Sequence, residues 1–363
     1  MTIVNSVEEM TADWFTAALA DVLGDARVTA VSTEQLGGGA FARMIRASLS
    51  YDGETTAPAS VIVKIPSTDP GSFGMAKAMG MYDLEVSFYR DVAPLVPGMS
   101  IPTCYLGESD PTSGLFTLVM ADLTGVAAPI PNVGAGSTVE EMLEACRAAI
   151  TELVAFQAPL WNSPQVEKLA WLADPARAIG MFEAMGQGLE PFVARFGDSL
   201  DAEHIEFFRA NLPRAGEWVR SWGRPTVVQH GDFRSDNLMR GTAPGAPAIT
   251  VIDFQTVRLG PPGIDLAYLI GSSLPTEDRR VQEKALVADY HAQLVGAGVE
   301  DFDADACWNA YREGALYGAF LFVGLAAQVV STPEIDAYIA AQAKRYADMA
   351  IDLDSAALLK GSS

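Results

Sequence analysis

Hydrophobic positions change their period along this chain. In the first third they fall mostly in short runs, and in the remainder they recur at helical spacing. Positions 7–23 carry a helical period, with Ser6 placed as N-cap and Glu9 three residues on, which predicts an amphipathic helix. Positions 28–36 and 43–51 read as strands flanking Gly37-Gly38-Gly39-Ala40-Phe41-Ala42, Asp52-Gly53 as a turn, and positions 60–65 as a compact strand. A helical pattern covers 75–92, and two further strands are expected at 102–106 and 115–120. Successive strands with one inserted helix make a small, largely antiparallel lobe.

After Asp122-Leu123 the character changes. Helices are expected at 138–156, 175–196, 202–222, 276–295, 304–330 and 333–353, several with Pro or Ser/Thr/Asp near the start. Two β-branched runs interrupt them, Val227-Val228 and Ile249-Thr250-Val251-Ile252, separated by the Gly/Pro-rich stretch 241–247 and read as a hairpin-like pair. Asp265 opens a further helix over 266–272. The pattern is therefore α+β, with lobes expected at 1–121 and 122–363. No repeat at solenoid periods and no low-complexity linker interrupts it, and Gly361-Ser362-Ser363 reads as a frayed end.

Composition narrows this picture modestly. With 363 residues, 49% of them hydrophobic and 19% charged, the chain has enough material for a real core. Its formal charge of −22 argues against nucleic acid as a partner, since phosphate binding rests on Lys and Arg. The same charge does not by itself select a cationic substrate, because surface charge is screened beyond about 8 Å. Cys104, Cys146 and Cys307 lack metal-ligand spacing and fit free thiols in a reducing compartment. The acidic N-terminus lacks a basic n-region and an apolar h-region, and the most apolar stretch, 315–330, is shorter than a membrane span. A cytoplasmic protein with no membrane partner is the expectation.

The chemistry concentrates around the two β-branched runs. His230-Gly231-Asp232 follows the first, Asp253-Phe254-Gln255 follows the second, and Asn237 lies five residues beyond Asp232. One amide and two carboxylates on strand-end loops suit a hard divalent cation, because Mg²⁺ takes oxygen ligands and shares them with phosphates. With only His204, His230 and His291 in the chain, a histidine-rich metal site is hard to assemble, and His230 reads as a structural residue of its loop. Lys64 stands in the middle of Val61-Ile62-Val63-Lys64-Ile65, where a buried ammonium needs a partner. Asp83 and Glu85 on the following helix fall on different helical faces. The three glycines at 37–39 can let phosphates approach and present backbone N–H groups to them.

An Asp, an Asn five residues on, and an Asp after a further strand is the layout of a phosphotransferase catalytic loop and metal-binding Asp. With Gly231 preceding Asp232, and Gln255 where protein kinases have glycine, the chain resembles the aminoglycoside phosphotransferase and choline kinase superfamily. Asp253-Phe254-Gln255 followed by Asp265-Leu266-Ala267-Tyr268 looks most like its ecdysteroid-kinase-like branch. The resemblance covers nearly the whole chain. It implies a two-lobed protein-kinase-like fold, with a small antiparallel-sheet N-lobe (1–121) that binds nucleotide and a large, mainly helical C-lobe (122–363). It implies ATP and Mg²⁺ as cofactors, and transfer of the γ-phosphoryl group to a hydroxyl of a small molecule.

Residue by residue, the resemblance assigns catalysis to Asp232, Asn237 and Asp253, and metal binding to Asn237 and Asp253. Nucleotide contacts fall to Gly38, Gly39, Lys64, Glu85, Met120 and Asp122, the last two through the backbone of a hinge at 118–123. Asp265 would steady the catalytic loop. The family often has a His-Ala-x-x-Trp segment where Phe156-Gln157-Ala158-Pro159-Leu160-Trp161 stands here, and an acid where Ala121 stands. Neither departure touches a catalytic role.

Three acceptor classes stay open: an aminocyclitol or other amine-bearing alcohol, a sterol-like apolar alcohol, and a hydroxyacyl thioester. Trp308, Tyr311 and Glu313 near the start of the 304–330 helix are candidate lining residues, although aromatic packing of a core helix is the simpler account of them. Two other readings fit the chain less well. A kinase-shaped binding protein without activity does not require Lys64, Asp232, Asn237 and Asp253 together. A metal-dependent hydrolase using His230, Asp232 and Asp253 leaves the glycine loop and Lys64 without a task.

Overall fold

The computed structural model describes residues 2–37, 39 and 41–359. Two compact units emerge. The first comprises Met1–Ala128 together with Gly241–Val257, and the second comprises Pro129–Arg240 and Arg258–Ser363.

The first unit is built on a five-stranded antiparallel sheet of β1 (Val28–Gln35), β2 (Ala42–Tyr51), β3 (Ser60–Pro66), β4 (Cys104–Asp110) and β5 (Leu115–Ala121), in the order β1-β2-β3-β5-β4. β3 and β5 lie inside the sheet, and their side chains are buried almost throughout. That is why both read as continuous apolar runs and not as alternating ones. The expected helix at 7–23 is broken. Ser6 begins only a short turn at Val7–Glu9, and the helix proper, Ala12–Ala18, is capped by Thr11, whose hydroxyl accepts the Trp14 N–H. A last turn, Ala20–Leu23, stops at Gly24 in a left-handed conformation.

The helix expected at 75–92 also divides. Pro70–Ala78 ends before Gly80, whose φ of +66° a residue with a Cβ rarely adopts, and Met81–Ser87 starts afresh. Phe88–Val92 then widens into a π-helical turn. The late segment Gly241–Val257 belongs to this unit partly through its strand Ile249–Val251, where the Val251 N–H donates to the Ser100 carbonyl at 2.8 Å.

The second unit is mainly helical. Val139–Gln157 begins with a capping box of Thr138 and Glu141, and Thr276–Gly296, Ala304–Ala326 and Pro333–Asp352 fall close to the expected spans. The span expected at 175–196 divides into Ala176–Gln187 and Leu189–Phe196, and that at 202–222 into Ala202–Asn211, a tight turn at Leu212–Arg214, and Ala215–Arg220. Pro191 and Pro213 have no N–H to donate four residues back, so each pattern is interrupted just before its proline, at Gly188 and at Asn211.

The expected hairpin between the two β-branched runs does not form. Val227–Gln229 pairs antiparallel with Arg258–Gly260, Gln229 standing opposite Arg258. This partner strand is too short and too polar to stand out in sequence. The helix Gly263–Ser273 is buried along nearly its whole length. A Cβ on Gly263 would lie 1.9 Å from the Ala310 carbonyl oxygen, and one on Gly314 would lie 2.4 Å from the Gly263 oxygen. Glycine at both positions lets these two helices touch backbone to backbone, which fixes where Asp265 sits. Among the described residues no helix is long and apolar enough to cross a membrane.

Candidate active site

In the first unit, the lysine expected to need a partner has two. Lys64 on β3 places its ammonium 2.6 Å from Glu85 Oε2 and 2.5 Å from Asp253 Oδ1. Lys64 and Glu85 are buried, and the Asp253 side chain is only partly exposed. Burial disfavours the ammonium, but the Asp253 and Glu85 carboxylates outweigh it and hold the Lys64 pKa above the ordinary lysine value. Glu85 is pushed up to about 7, first by burial, with Lys64 opposing and Asp253 adding to the rise. One buried cation cannot fully neutralise two carboxylates, which is why buried Glu85 holds a proton more readily than a solvated carboxylate. Asp83, the rival acid, instead accepts the Ser109 hydroxyl at 2.7 Å.

Asp253 is itself held unusually. Its φ of +70° is a left-handed conformation that a residue with a side chain adopts at a cost of about 1–3 kcal/mol. The following Phe254 anchors it, its ring stacked on Phe88 with centroids 3.7 Å apart, just beyond Glu85 on the same run of helix. Gln255 donates to the other Asp253 oxygen at 3.1 Å.

The remaining expected nucleotide residues are placed as follows. Gly37 and Gly39 lie in the β1–β2 turn, where an added Cβ would meet nothing within 4 Å, so packing does not require glycine at either. Gly38 lies outside the described residues. Met120 sits within β5, opposite Ile62 of β3 and Cys104 of β4, and Asp122 follows the strand directly. The Asp122 carboxylate is engaged by Arg46 Nε at 3.0 Å and Ser60 Oγ at 2.8 Å. Burial opposes its charge, but bonds from Thr124 and Ser60 and the Arg46 guanidinium hold its pKa below the usual range.

The second unit holds a separate cluster of the expected residues. A short turn, Ser235–Asn237, folds Asn237 back onto Asp232: Asn237 Nδ2 donates to the Asp232 carbonyl and to its Oδ2, both at 2.8 Å. With the nitrogen committed, the amide oxygen is the end left for a cation. The Asp232 N–H donates to His230 Nδ1 at 3.2 Å, which makes His230 a residue that shapes the loop. Buried Asp265 accepts the backbone N–H groups of His230 at 2.8 Å and of Gly231 at 2.9 Å. Burial raises its pKa, opposed by His230 and by those bonds. Tyr317 donates its hydroxyl to the Gly231 carbonyl at 2.5 Å.

Several contributors escaped the sequence reading. Arg234 Nε lies 3.2 Å from Asp232 Oδ1, and its Nη1 lies 2.6 Å from Asp236 and 3.2 Å from the Tyr338 hydroxyl. A cation two residues past Asp232, inside an acidic loop, was a signal available in sequence; its bond to Tyr338 was not. Gln157, at the family's histidine position, donates to Asp265 at 3.4 Å and accepts the Tyr290 hydroxyl at 2.5 Å. Of the acceptor-lining candidates, Tyr311 and Glu313 are engaged internally. Tyr311 is buried and donates to Glu283 at 2.9 Å, while Glu313 accepts Trp218 Nε1 at 2.7 Å. Among the described residues no group of three or more His, Cys, Asp or Glu is placed to hold a metal ion.

The family described as "Phosphotransferase enzyme family" (APH) matches residues 47–306. A search of curated proteins found no match. Among solved structures, the chain resembles the GDP complex of wild-type aminoglycoside 2'-phosphotransferase-IIIa, with 16% identity and a TM-score of 0.50, over 92% of this chain and 99% of that one. It also resembles the amicoumacin kinase hAmiN in complex with AMP-PNP, Ca²⁺ and Ami, with 12% identity and a TM-score of 0.52, over 94% and 95%. At such identities these likenesses show the fold, which is the protein-kinase-like one.

Proposed function

Since the chain belongs to the phosphotransferase enzyme family, we propose that it transfers the γ-phosphoryl group of ATP, with Mg²⁺, to a hydroxyl of a small-molecule alcohol. The observation that carries this reading is Lys64, an ammonium buried between Glu85 and Asp253. A structural ion pair needs one acid. An ammonium shared by two can turn toward phosphate oxygens while Glu85 keeps hold of it. The glycine turn at 37–39 and the backbone at Met120 and Asp122 would serve the nucleotide, making 1–121 the nucleotide-binding lobe and 122–363 the catalytic one.

The oxygens that fit a hard cation are the Asp253 carboxylate and the Asn237 amide oxygen. Mg²⁺ bound there would neutralise charge on the phosphates. The acceptor hydroxyl would be oriented by Asp232. An O–P bond forms to the γ-phosphorus as the bond to the β,γ-bridging oxygen breaks, giving ADP and a phosphate monoester. The hydroxyl proton passes to Asp232 late in the step and then to solvent. Asp265 and Asn237 keep that carboxylate in place. The glycine turn and Lys64 favour this reading over a hydrolase.

The test is transfer from γ-labelled ATP, with a GTP arm, to pooled aminoglycosides, choline-like amines, sterols and hydroxyacyl-CoAs. Label in one pool with wild type and none with Asp232→Ala is the expected result. Label that survives Asp232→Ala would sink the assignment. Tight Mg-ATP binding with no transfer to any pool would favour a nucleotide-binding protein.

A further inference from the structure

An unused pair of donors lies beside the Asp232 carboxylate. Phe233 is fully buried, whereas Asp232 and Arg234 on either side of it are partly exposed, the alternation of extended backbone. Arg234 itself is extended, with φ −143° and ψ 166°. The two side chains therefore emerge together, and Arg234 Nε lies 3.2 Å from Asp232 Oδ1. The guanidinium is anchored at its other end. Its Nη1 lies 2.6 Å from the Asp236 carboxylate and donates to the Tyr338 hydroxyl at 3.2 Å. Among the described residues, neither the buried Nε nor Nη2 makes a hydrogen bond. Nε and Nη2 are the parallel donors of the guanidinium fork, the edge that grips a carboxylate or a phosphate with two bonds. A purely structural pair would close this edge on Asp232. Here Asp232 Oδ2 is taken by Asn237 Nδ2 at 2.8 Å, and Nε is not aligned on Oδ1 for a bond.

We propose that Arg234 is a catalytic residue whose Nε–Nη2 edge binds the γ-phosphoryl group while that group is transferred. The proposal rests on the reaction given above, in which Asp232 meets the acceptor hydroxyl. That hydroxyl attacks phosphorus from about 3–3.5 Å, so the phosphoryl group passes within reach of a guanidinium that flanks Asp232. As the new O–P bond forms and the bond to the β,γ-bridging oxygen breaks, the negative charge is spread over the three equatorial oxygens. Two of those oxygens match one fork. The charge also has to be offset, because Asp232 and Asp236 both repel it, and Arg234 is the cation that faces both acids. A guanidinium suits this task better than an ammonium, which is a point charge without a fork.

Aluminium fluoride, which completes ADP into a mimic of the transferring group, tests this without an acceptor or turnover. Affinity for Mg-ADP, alone and with aluminium fluoride, is measured by calorimetry for wild type, Arg234→Met, Arg234→Lys and Tyr338→Phe, with thermal melts to check folding. Wild type is expected to gain affinity from the fluoride. Arg234→Met should lose at least about tenfold of that gain while binding Mg-ADP alone as wild type does. Arg234→Lys keeps the charge without the fork and should fall between them; where Arg234→Met does not fold, a wild-type gain in Arg234→Lys overturns the proposal. Tyr338→Phe removes the outer anchor and should keep the gain. A residue that merely ties its loop to the helix Pro333–Asp352 would lose as much in Tyr338→Phe as in Arg234→Met, and that result overturns the proposal. So does an undiminished gain in Arg234→Met, or a wild type that gains nothing from the fluoride. In transfer, kcat should fall at least about a hundredfold in Arg234→Met with KM for ATP nearly unchanged. An Arg234-dependent gain in a protein that transfers to none of the pools would count against the alcohol acceptor and leave the contact of Arg234 with the phosphoryl group standing.

Discussion

The Lys64 ammonium lies 2.5 Å from Asp253 Oδ1, although the two residues are 189 positions apart in sequence. On its other side it lies 2.6 Å from Glu85. Asp253 is reached through a segment from the second half of the chain that nevertheless folds as part of the first unit.

Removing this cation strands a fully buried carboxylate. Lys64→Met is expected to cost about 3–5 kcal/mol of stability, the usual penalty for breaking a buried pair by deleting one partner. Urea unfolding at pH 8 measures it. A loss below about 1 kcal/mol would mean that the trio is better solvated than its burial implies.

Glu85 makes stability fall with rising pH. Its folded-state pKa of about 7 lies above the ordinary 4.5, so between these values the folded state binds more protons than the unfolded one. Its contribution is therefore fully present below about pH 4.5 and is lost as pH rises through about 7, amounting to about 3 kcal/mol. The difference between wild type and Glu85→Gln, followed from pH 5 to pH 8, isolates it. A flat difference would show that Lys64 keeps Glu85 ionised throughout.

Asp232 and Asp253 should fail in different ways. Asp232→Ala is expected to lower transfer at least about a hundredfold while Mg-nucleotide affinity holds, since it removes a group that acts on the acceptor. Asp253→Ala should weaken Mg-nucleotide binding itself. Equal loss of binding in both variants would contradict the division of roles.

Asp265 acts through the backbone of the loop before Asp232. Asp265→Asn keeps the volume but presents an amide group to two N–H donors, a loss of about 1–3 kcal/mol. Hydrogen exchange at His230 and Gly231 should quicken and transfer should drop about a hundredfold, with nucleotide affinity unchanged. Unchanged exchange at those two amides would remove the positioning role.

Gly39 is expected to matter to the nucleotide and not to the fold. Because a Cβ there meets nothing within 4 Å, Gly39→Ala should leave stability within about 0.5 kcal/mol. Nucleotide affinity should weaken about tenfold, a change of 1.4 kcal/mol. Isothermal titration with Mg-ADP and thermal melts read the two effects separately.

Local chemistry made part of this legible. Asn237 can fold back on Asp232 because a single turn, Ser235–Asn237, spans them, so spacing alone announces the pair. Lys64 was legible through its cost, since a lysine in an apolar strand needs an acid, and the family resemblance named Glu85 as that acid. The breaks before Pro191 and Pro213 were also local, and the hydrophobic period running through both prolines hid them.

The sequence by itself determined the α+β division and that Lys64 requires an acid, because strand and helix periods and the penalty for a buried charge act over short stretches. Only the tertiary structure decided that Val227–Gln229 pairs with Arg258–Gly260, that Asp253 shares Lys64 with Glu85, and that Arg234 reaches Tyr338, 104 residues away. Loop-closure entropy grows only slowly with length. Sequence separation therefore ranks distant partners poorly, and packing of the whole chain chooses among them.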